Sequence, residues 1–155
     1  MTAPYGKIAC FIDQDEASET ALAEAQRLRG FGECELHLVH VAPEPLALYA
    51  APYAYLSVSD DFYPRAREWI ETRARRAEAT PVLLTGIPAR AACEFAAAAE
   101  VDLMIAAAHR GLVRRTVLGG FASYIGYHAP CPVLLVRPPE PAEPHDRVDV
   151  TTAPA

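Results

Sequence analysis

Arginine and glycine residues between Leu103 and Pro139 make up the part of this chain best suited to binding an anion. The stretch contains no Asp or Glu and carries four arginines, Arg110, Arg114, Arg115 and Arg137. It lies in a protein whose formal net charge is −6. An apolar run, residues 103–107, leads into it, and Gly119-Gly120 opens a segment with a helical pattern. Backbone N–H groups at a helix start attract anions, and glycine lets an anion approach closely. The pattern predicts an anion site, most plausibly for phosphate.

Asp13 is a second candidate, because it follows an apolar, strand-like run and begins the acidic segment 13–16. Its carboxylate could contact a ligand, or it could favour the start of the next helix through its charge. Arg114 and Arg115 leave a similar choice between phosphate contacts and a solvated surface. His109 has the chemistry of a general base, but the sequence shows no Ser, Cys or carboxylate partner for it. We therefore do not expect an enzyme.

Composition limits the classes of protein and partner. A hydrophobic fraction of 52% and a charged fraction of 22% are typical of a globular protein. The acidic balance argues against nucleic acid and anionic membranes as partners. No segment resembles a signal peptide or a membrane span, which predicts a cytoplasmic protein. The cysteines are widely spaced, so we expect buried free thiols and no metal site at Cys10, Cys34, Cys93 and Cys131.

Apolar runs alternate with helical patterns along the chain. The expected strands are Lys7–Ile12, Leu36–Val41, Pro81–Thr85, Leu103–Ala107 and Pro132–Arg137. The expected helices are one that follows the acidic segment and ends at Gly30, then Ala66–Ala77, Pro88–Glu100 and Gly120–His128. Prolines are expected to interrupt regular structure over residues 43–64. This stretch is rich in tyrosine, so it is expected to pack against a ligand, a partner or its own domain.

The alternation predicts one α/β domain over residues 1–138, with a doubly wound, five-stranded parallel sheet and helices on both faces. Residues 139–155 are proline-rich and polar and are expected to be disordered. Ligands of such sheets bind beyond the carboxyl ends of the strands, where the strand order switches direction. Asp13 after the first strand, Val41 ending the second and the His109 loop after the fourth could therefore converge on one crevice.

Several short elements, taken in order and spacing, resemble the universal stress protein family from Lys7 to Pro138. They are Lys7-Ile8 with Asp13, His40-Val41, Gly86-Ile87-Pro88-Ala89, Asp102-Leu103-Met104-Ile105, and the run from Ala129 to Arg137. The resemblance implies a five-stranded, doubly wound parallel fold of the adenine nucleotide α-hydrolase-like kind. It also implies homodimers, which in this family often pair through the last strand, here Pro132–Arg137.

The resemblance further implies a site for an adenine nucleotide. Many members of the family bind ATP with a loop in which Gly, two residues, Gly and nine residues precede a Gly followed by Ser or Thr. Asp13 matches the position that contacts adenosine, and Val41 matches one that packs near adenine. Gly119 matches the late phosphate-binding glycine.

Three residues depart from the family's phosphate loop. Ala107 stands where the first glycine is expected, Arg110 stands at the second, and Gly120 replaces the Ser or Thr. The loop is also short, because residues 111–118 leave only eight positions between Arg110 and Gly119, and seven if the alignment is moved by one residue. Arg110 could block a phosphate or grip it through its planar guanidinium. Gly119-Gly120 could also be only a tight turn into a helix.

The sequence therefore predicts a dimeric stress-response protein with a degenerate crevice for ATP or another adenine nucleotide, with Mg²⁺ accompanying ATP. The alternative is a member of the family that does not bind ATP and acts as a dimeric interaction or signalling module. A related group of enzymes activates substrates with ATP and carries a Ser-Gly-Gly-containing loop after the first strand. Residues 13–18 are acidic here and would repel pyrophosphate, so that class is disfavoured. Slow ATP hydrolysis stays open.

Overall fold

The computed structural model describes residues 3–43, 52–108 and 120–139, with the backbone alone for residues 43 and 52–61. Its elements, in chain order, are β1 (Lys7–Phe11), α1 (Ala17–Arg29), β2 (Glu35–Pro43), α2 (Pro52–Ala77), β3 (Thr80–Gly86), α3 (Pro88–Ala98), β4 (Leu103–Ala107), α4 (Gly120–His128) and β5 (Val133–Val136). The expected disordered tail lies outside the described residues beyond position 139. No helix in the described ranges combines the length and apolar character needed to cross a membrane.

The strands form one parallel sheet in the order β3-β2-β1-β4-β5. In the centre, Ala9 of β1 aligns with His37 of β2 on one side and with Met104 of β4 on the other. The chain therefore builds outward from β1 to β3 and then returns to the other side of β1. This confirms the predicted doubly wound, five-stranded fold. The switch in strand order lies between β1 and β4, which is where ligands of this fold class bind.

Apolar side chains cover both faces of the sheet, which explains the near-continuous apolar runs of its strands. On one face, Ile8 and Cys10 of β1 belong to a buried cluster with Ile70 of α2. On the other face, Phe11 belongs to a second cluster with Ile125 of α4. Neighbouring residues of β1 enter different clusters because side chains alternate between the faces of a strand.

The cysteines are free thiols. Cys10 is fully buried, and the loss of solvation raises the pKa of its thiol to about 12. Cys34, Cys93 and Cys131 are only partly buried, so the expectation of buried thiols holds fully for Cys10 alone. Burial also raises the pKa of these three thiols, which disfavours the reactive thiolate. Within the described ranges, no three His, Cys, Asp or Glu side chains form a group that could hold a metal ion.

α2 departs most from the sequence-based expectation. Regular structure was not expected before Pro64, but the helix begins at Pro52 and contains Pro64. Pro52 takes the first helical position, where a missing N–H has no consequence and the fixed φ suits a helix. Farther along, Ala66 and Ile70 are 7% and 1% exposed and anchor the helix on the sheet. A proline inside a helix removes one hydrogen bond and can kink the axis, but the helix can continue past it. The expectation that regular structure begins only after Pro64 was therefore wrong, because the helix begins at Pro52.

A glutamate in the left-handed region follows each of α2 and α3, since Glu78 and Glu100 both have φ of 52°. After α3, the N–H of Glu100 donates to Ala97 at 3.3 Å and the N–H of Val101 donates to Ala96 at 2.9 Å. These are the two hydrogen bonds of a Schellman motif, whose left-handed position is usually glycine. A residue with a Cβ is strained there.

Glu100→Gly is therefore expected to stabilise the protein by about 0.5–1 kcal/mol, after allowing for the greater entropy of glycine in the unfolded chain. Denaturant unfolding should show a higher midpoint with an unchanged slope. Glu100→Ala is the matched control, because it also removes the carboxylate but keeps the Cβ. Equal stability of the two variants would contradict this explanation.

Lys7 and Asp102 carry part of the family pattern, but they lie at the amino ends of β1 and β4, opposite the carboxyl edge of the sheet. The Oδ2 atom of Asp102 accepts the N–H groups of Gly6 at 3.0 Å and Lys7 at 2.8 Å. The Nζ atom of Lys7 donates to the carbonyl of Ala99 at 2.8 Å. These contacts join the start of β1 to the turn before β4, so both residues have structural roles.

Asp102→Ala is expected to lower the free energy of unfolding by about 1–2 kcal/mol. The substitution removes a charged acceptor from two backbone N–H groups. Because Asp102 is exposed, water can replace part of the lost hydrogen bonding. Thermal unfolding should show a midpoint several degrees lower. Asp102→Asn keeps an acceptor oxygen and should recover part of the loss. If both variants unfold like the wild type, the carboxylate does not hold the strand.

Candidate functional site

A cavity of about 210 Å³ opens at the carboxyl edge of the sheet, at the switch in strand order. It lies between the ends of β2, β1 and β4, and α3 and α4 each add a residue to its wall. The lining residues are Phe11, Ile12, Asp13, Ser18, Val39, His40, Val41, Pro88, Ala106, Ala107 and Phe121. The crevice expected from the strand ends is therefore present in the described part of the chain.

Asp13 stands just beyond β1, and its carboxylate is held by neighbouring groups. Its Oδ1 atom accepts the hydroxyl of Ser18 at 2.7 Å and the N–H of Asp15 at 2.9 Å. Its own N–H donates to the Oγ atom of Ser18 at 2.9 Å. The contact with Asp15 shows that Asp13 does organise the turn before α1. Because it also lines the cavity, its two expected roles are compatible.

The sequence analysis did not single out Ser18. It lies in the first turn of α1, five residues after Asp13, and it is 1% exposed. A serine at the start of a helix is normally interpreted as a capping residue. The sequence did contain a signal for Ser18, namely its distance of five residues from Asp13. This spacing brings the first turn of the helix back to the end of the preceding strand. Pro88 and Phe121, which also line the cavity, were not assigned to the site either.

His40 joins the ends of β1 and β2 beneath the cavity. Its Nδ1 atom lies 2.9 Å from the carbonyl oxygen of Ile12. A carbonyl can only accept, so Nδ1 carries the hydrogen in this contact. The imidazole also meets the indole of Trp69 edge to face, with ring centroids 4.9 Å apart. These contacts give His40 a structural role at the ends of the two strands.

The structure brings some of the expected site residues together. Asp13, Val41 and Ala107 line the same cavity, and Ala107 is only 5% exposed. Gly120 is the first residue of α4 and is exposed; it is outside the lining, although its neighbour Phe121 belongs to it. The other candidates lie outside the described residues: His109, Arg110, Arg114, Arg115 and Gly119.

The described lining is largely apolar. Its polar side chains are the Asp13 carboxylate, the Ser18 hydroxyl and the His40 imidazole. Apolar walls suit a flat aromatic ring, and a few well-placed polar groups fix the orientation of a ligand. A carboxylate accepts hydrogen bonds and repels anions, so Asp13 suits a hydroxyl or amino group rather than a phosphate.

The sheet order and the cavity at its switch point define a doubly wound α/β protein. Its crevice lies at the carboxyl edge of the strands, where proteins of this fold class bind ligands. The chain belongs to the universal stress protein family, whose model matches residues 4–137. It is similar to a universal stress protein from Synechocystis, with 24% identity over 152 residues covering 86% of this chain and 98% of the relative.

Solved structures show the same fold. Universal stress protein UspA from Lactobacillus plantarum is 22% identical, with a TM-score of 0.74 over 88% of this chain and all of the other. A universal stress protein from Arabidopsis thaliana, solved with AMP bound, is 17% identical, with a TM-score of 0.57 over 85% of this chain and 91% of the other. At these identities the likeness establishes the fold of this chain and leaves its ligand open.

Proposed function

We propose that this protein binds an adenine nucleotide, ATP or AMP, in the cavity beside Asp13 and acts as a cytoplasmic, homodimeric stress-response protein. The observation that carries the proposal is the cavity itself, where Asp13 and Val41 meet at the switch in strand order. The AMP bound to the Arabidopsis relative supports the choice of ligand. Binding rather than catalysis is proposed, because the one hydroxyl of the described lining that donates to a carboxylate, that of Ser18, is 1% exposed and so is poorly placed to attack a ligand.

The strand order suggests how a nucleotide lies in the cavity. β1 lies between β2 and β4, so Asp13 lies between Val41 on one side and Ala107 on the other. The base is placed against the apolar end of β2, and the phosphates are placed toward Ala107 and the start of α4. The N–H groups at a helix start favour anions, which supports this direction of binding.

We expect the affinity for a nucleotide to be reduced at the end of the cavity that would take its phosphates. Ala107, at the end of β4, stands where the family pattern has a glycine, and a Cβ at this position limits how closely an anion approaches the backbone. Gly120 lacks the hydroxyl of the family pattern. Mg²⁺ would enter with ATP, since it is usually held by phosphate oxygens, water and one or two carboxylates. Arg110 and Gly119 are proposed as further phosphate contacts on the basis of the family pattern.

Ligand released from the purified protein tests this proposal. Freshly purified protein should be denatured, and the supernatant analysed by chromatography and mass spectrometry. We expect an adenine nucleotide, or saturable uptake of one in equilibrium dialysis of the protein against ATP, ADP or AMP. If neither is found with millimolar nucleotide, the proposed function is wrong.

Gly120→Ser should restore a hydroxyl at the start of α4 and tighten binding of ATP. Among the described residues, no atom lies within 4 Å of a Cβ built on Gly120, so they leave room for the side chain. One added hydrogen bond is worth about 1 kcal/mol, or roughly a fivefold gain in affinity. Gly120→Ala is the matched control and should leave the affinity unchanged. An equal effect of both substitutions would show that the hydroxyl does not meet the phosphates.

β5 supports the homodimer in the proposal. In the described sheet it is an edge strand, and its four residues Val133–Val136 are apolar and half-buried. Tyr127 on neighbouring α4 is 88% exposed. An apolar edge strand is a ready template for pairing with another chain. Sedimentation at micromolar concentration should show a dimer, and a monomer would contradict this part of the proposal.

The second candidate function is a dimeric interaction or signalling module that does not bind ATP. The buried Cβ of Ala107 at the expected glycine position favours it. In that case substitutions at Gly119 and Gly120 change stability but no binding event. A nucleotide-dependent rise in the unfolding midpoint that these substitutions abolish would rule it out.

A further inference from the structure

We infer that Ser18 is a positioning residue, which orients the Asp13 carboxylate toward a ribose hydroxyl and so sets a preference for ribonucleotides over deoxyribonucleotides. The inference rests on the proposed function and deepens it. It begins from the burial of Ser18, which is 1% exposed and is the only polar residue in the described part of the chain that is fully buried. A buried hydroxyl is costly unless it is hydrogen-bonded, so its partners explain its position.

Both hydrogen bonds of this hydroxyl go to Asp13. Ser18 donates to the Oδ1 atom of Asp13 at 2.7 Å, and it accepts the N–H of the same residue at 2.9 Å. One hydroxyl therefore ties the side chain and the backbone of Asp13 together. This fixes the direction of the carboxylate relative to the end of β1.

A third contact adds to the arrangement. The N–H of Asp15 donates to the same Oδ1 atom at 2.9 Å. With two donors on one oxygen, rotation of the carboxylate is restricted, so a residue of the cavity lining keeps a defined orientation. A group held in place before the ligand arrives loses less entropy on binding, which improves affinity and selectivity.

The topology indicates which part of a nucleotide this carboxylate would meet. Val41 and Ala107 lie on the strands that flank β1, and neighbouring strands are about 4.8 Å apart. In a nucleotide, the ribose lies between the base and the phosphates. A ligand with its base at Val41 and its phosphates toward Ala107 therefore presents its ribose to Asp13. Ribose hydroxyls can donate to a carboxylate, whereas a deoxyribose has lost one of these donors.

Selectivity between nucleotides tests the role of Ser18 better than affinity alone, because a merely structural residue would not change it. Calorimetry should compare ATP with 2′-deoxy-ATP and 3′-deoxy-ATP for the wild type, Ser18→Ala and Ser18→Cys. The cysteine variant nearly keeps the buried volume but lacks a strong donor, so it serves if Ser18→Ala does not fold. Asp102→Asn is the control, since it disturbs carboxylate-to-backbone hydrogen bonds at the opposite edge of the sheet.

We expect the wild type to prefer ATP over at least one deoxy form by about tenfold or more, as for a hydrogen bond to a charged group. Ser18→Ala and Ser18→Cys should reduce that preference several-fold, and Asp102→Asn should keep it. If the wild type binds ATP and both Ser18 variants keep the full preference, the role of Ser18 is overturned while the proposed function stands. A wild type that binds ATP and both deoxy forms equally also overturns it. If the wild type binds AMP but not ATP, the same comparison is made with 2′-deoxy-AMP and 3′-deoxy-AMP, and absence of binding of ATP, ADP and AMP overturns both.

Discussion

Asp13→Asn is expected to weaken the binding of ATP and AMP by about 10- to 100-fold, which is the size expected for a hydrogen bond to a charged group. Asparagine has nearly the same shape, and its side-chain oxygen can still accept the Ser18 hydroxyl and the Asp15 N–H. The substitution therefore removes the charge and half of the acceptors while the turn before α1 is kept. An amide N–H facing a ligand hydroxyl is also a poorer match than a carboxylate oxygen.

Asp15→Asn is the matched control for this prediction. Asp15 is in the same turn, but it is outside the cavity lining, and its Oδ1 atom accepts the N–H of Ala17 at 3.3 Å. Calorimetric titration of the two variants should show weak binding for Asp13→Asn and near wild-type binding for Asp15→Asn. If both variants bind like the wild type, Asp13 does not contact the ligand. If both lose the same affinity, the loss comes from the net charge of the acidic turn and not from a contact of Asp13.

Ile105→Ala is expected to lower the free energy of unfolding by about 3–4 kcal/mol, through lost apolar burial and the cavity left behind. Ile105 is 0% exposed in β4 and aligns with Cys10 of β1 and Leu134 of β5. Because helices and strands surround it, the structure has little room to collapse around the smaller side chain.

Ile87→Ala makes the same chemical change at an isoleucine that is 67% exposed, just before α3. It should change the free energy of unfolding by no more than about 0.5 kcal/mol. Denaturant unfolding of both variants measures the difference directly. Similar losses for the two variants would contradict the burial of β4 between β1 and β5.

The sheet could be predicted from the sequence because its strands are buried on both faces. The runs at Lys7 and Leu103 are almost wholly apolar, which amphipathic surface strands are not. The place of Asp13 could also be predicted, since a polar residue after a buried strand falls at the carboxyl edge of a parallel sheet. The strand order alone then places Asp13 near Val41 and Ala107, at the ends of the two flanking strands.

Other features depended on tertiary contacts that no local pattern records. Pro64 is a good local signal for a helix boundary, but α2 begins at Pro52, a position that tolerates proline, and continues past Pro64. Ser18 looks like an ordinary residue near a helix start, and its two hydrogen bonds to Asp13 appear only in three dimensions. Phe121 reaches the cavity beside Phe11, at 6.0 Å between ring centroids, from a helix far away in the chain.

The central claim is that the crevice beside Asp13 holds an adenine nucleotide, and calorimetric titration of ligand-free wild-type protein with AMP and ATP tests it most directly. The account predicts saturable binding at one site per chain, with affinity in the micromolar to submillimolar range. It also predicts that Asp13→Asn weakens this binding at least tenfold. No heat of binding up to millimolar nucleotide, or a titration that Asp13→Asn leaves unchanged, would contradict it.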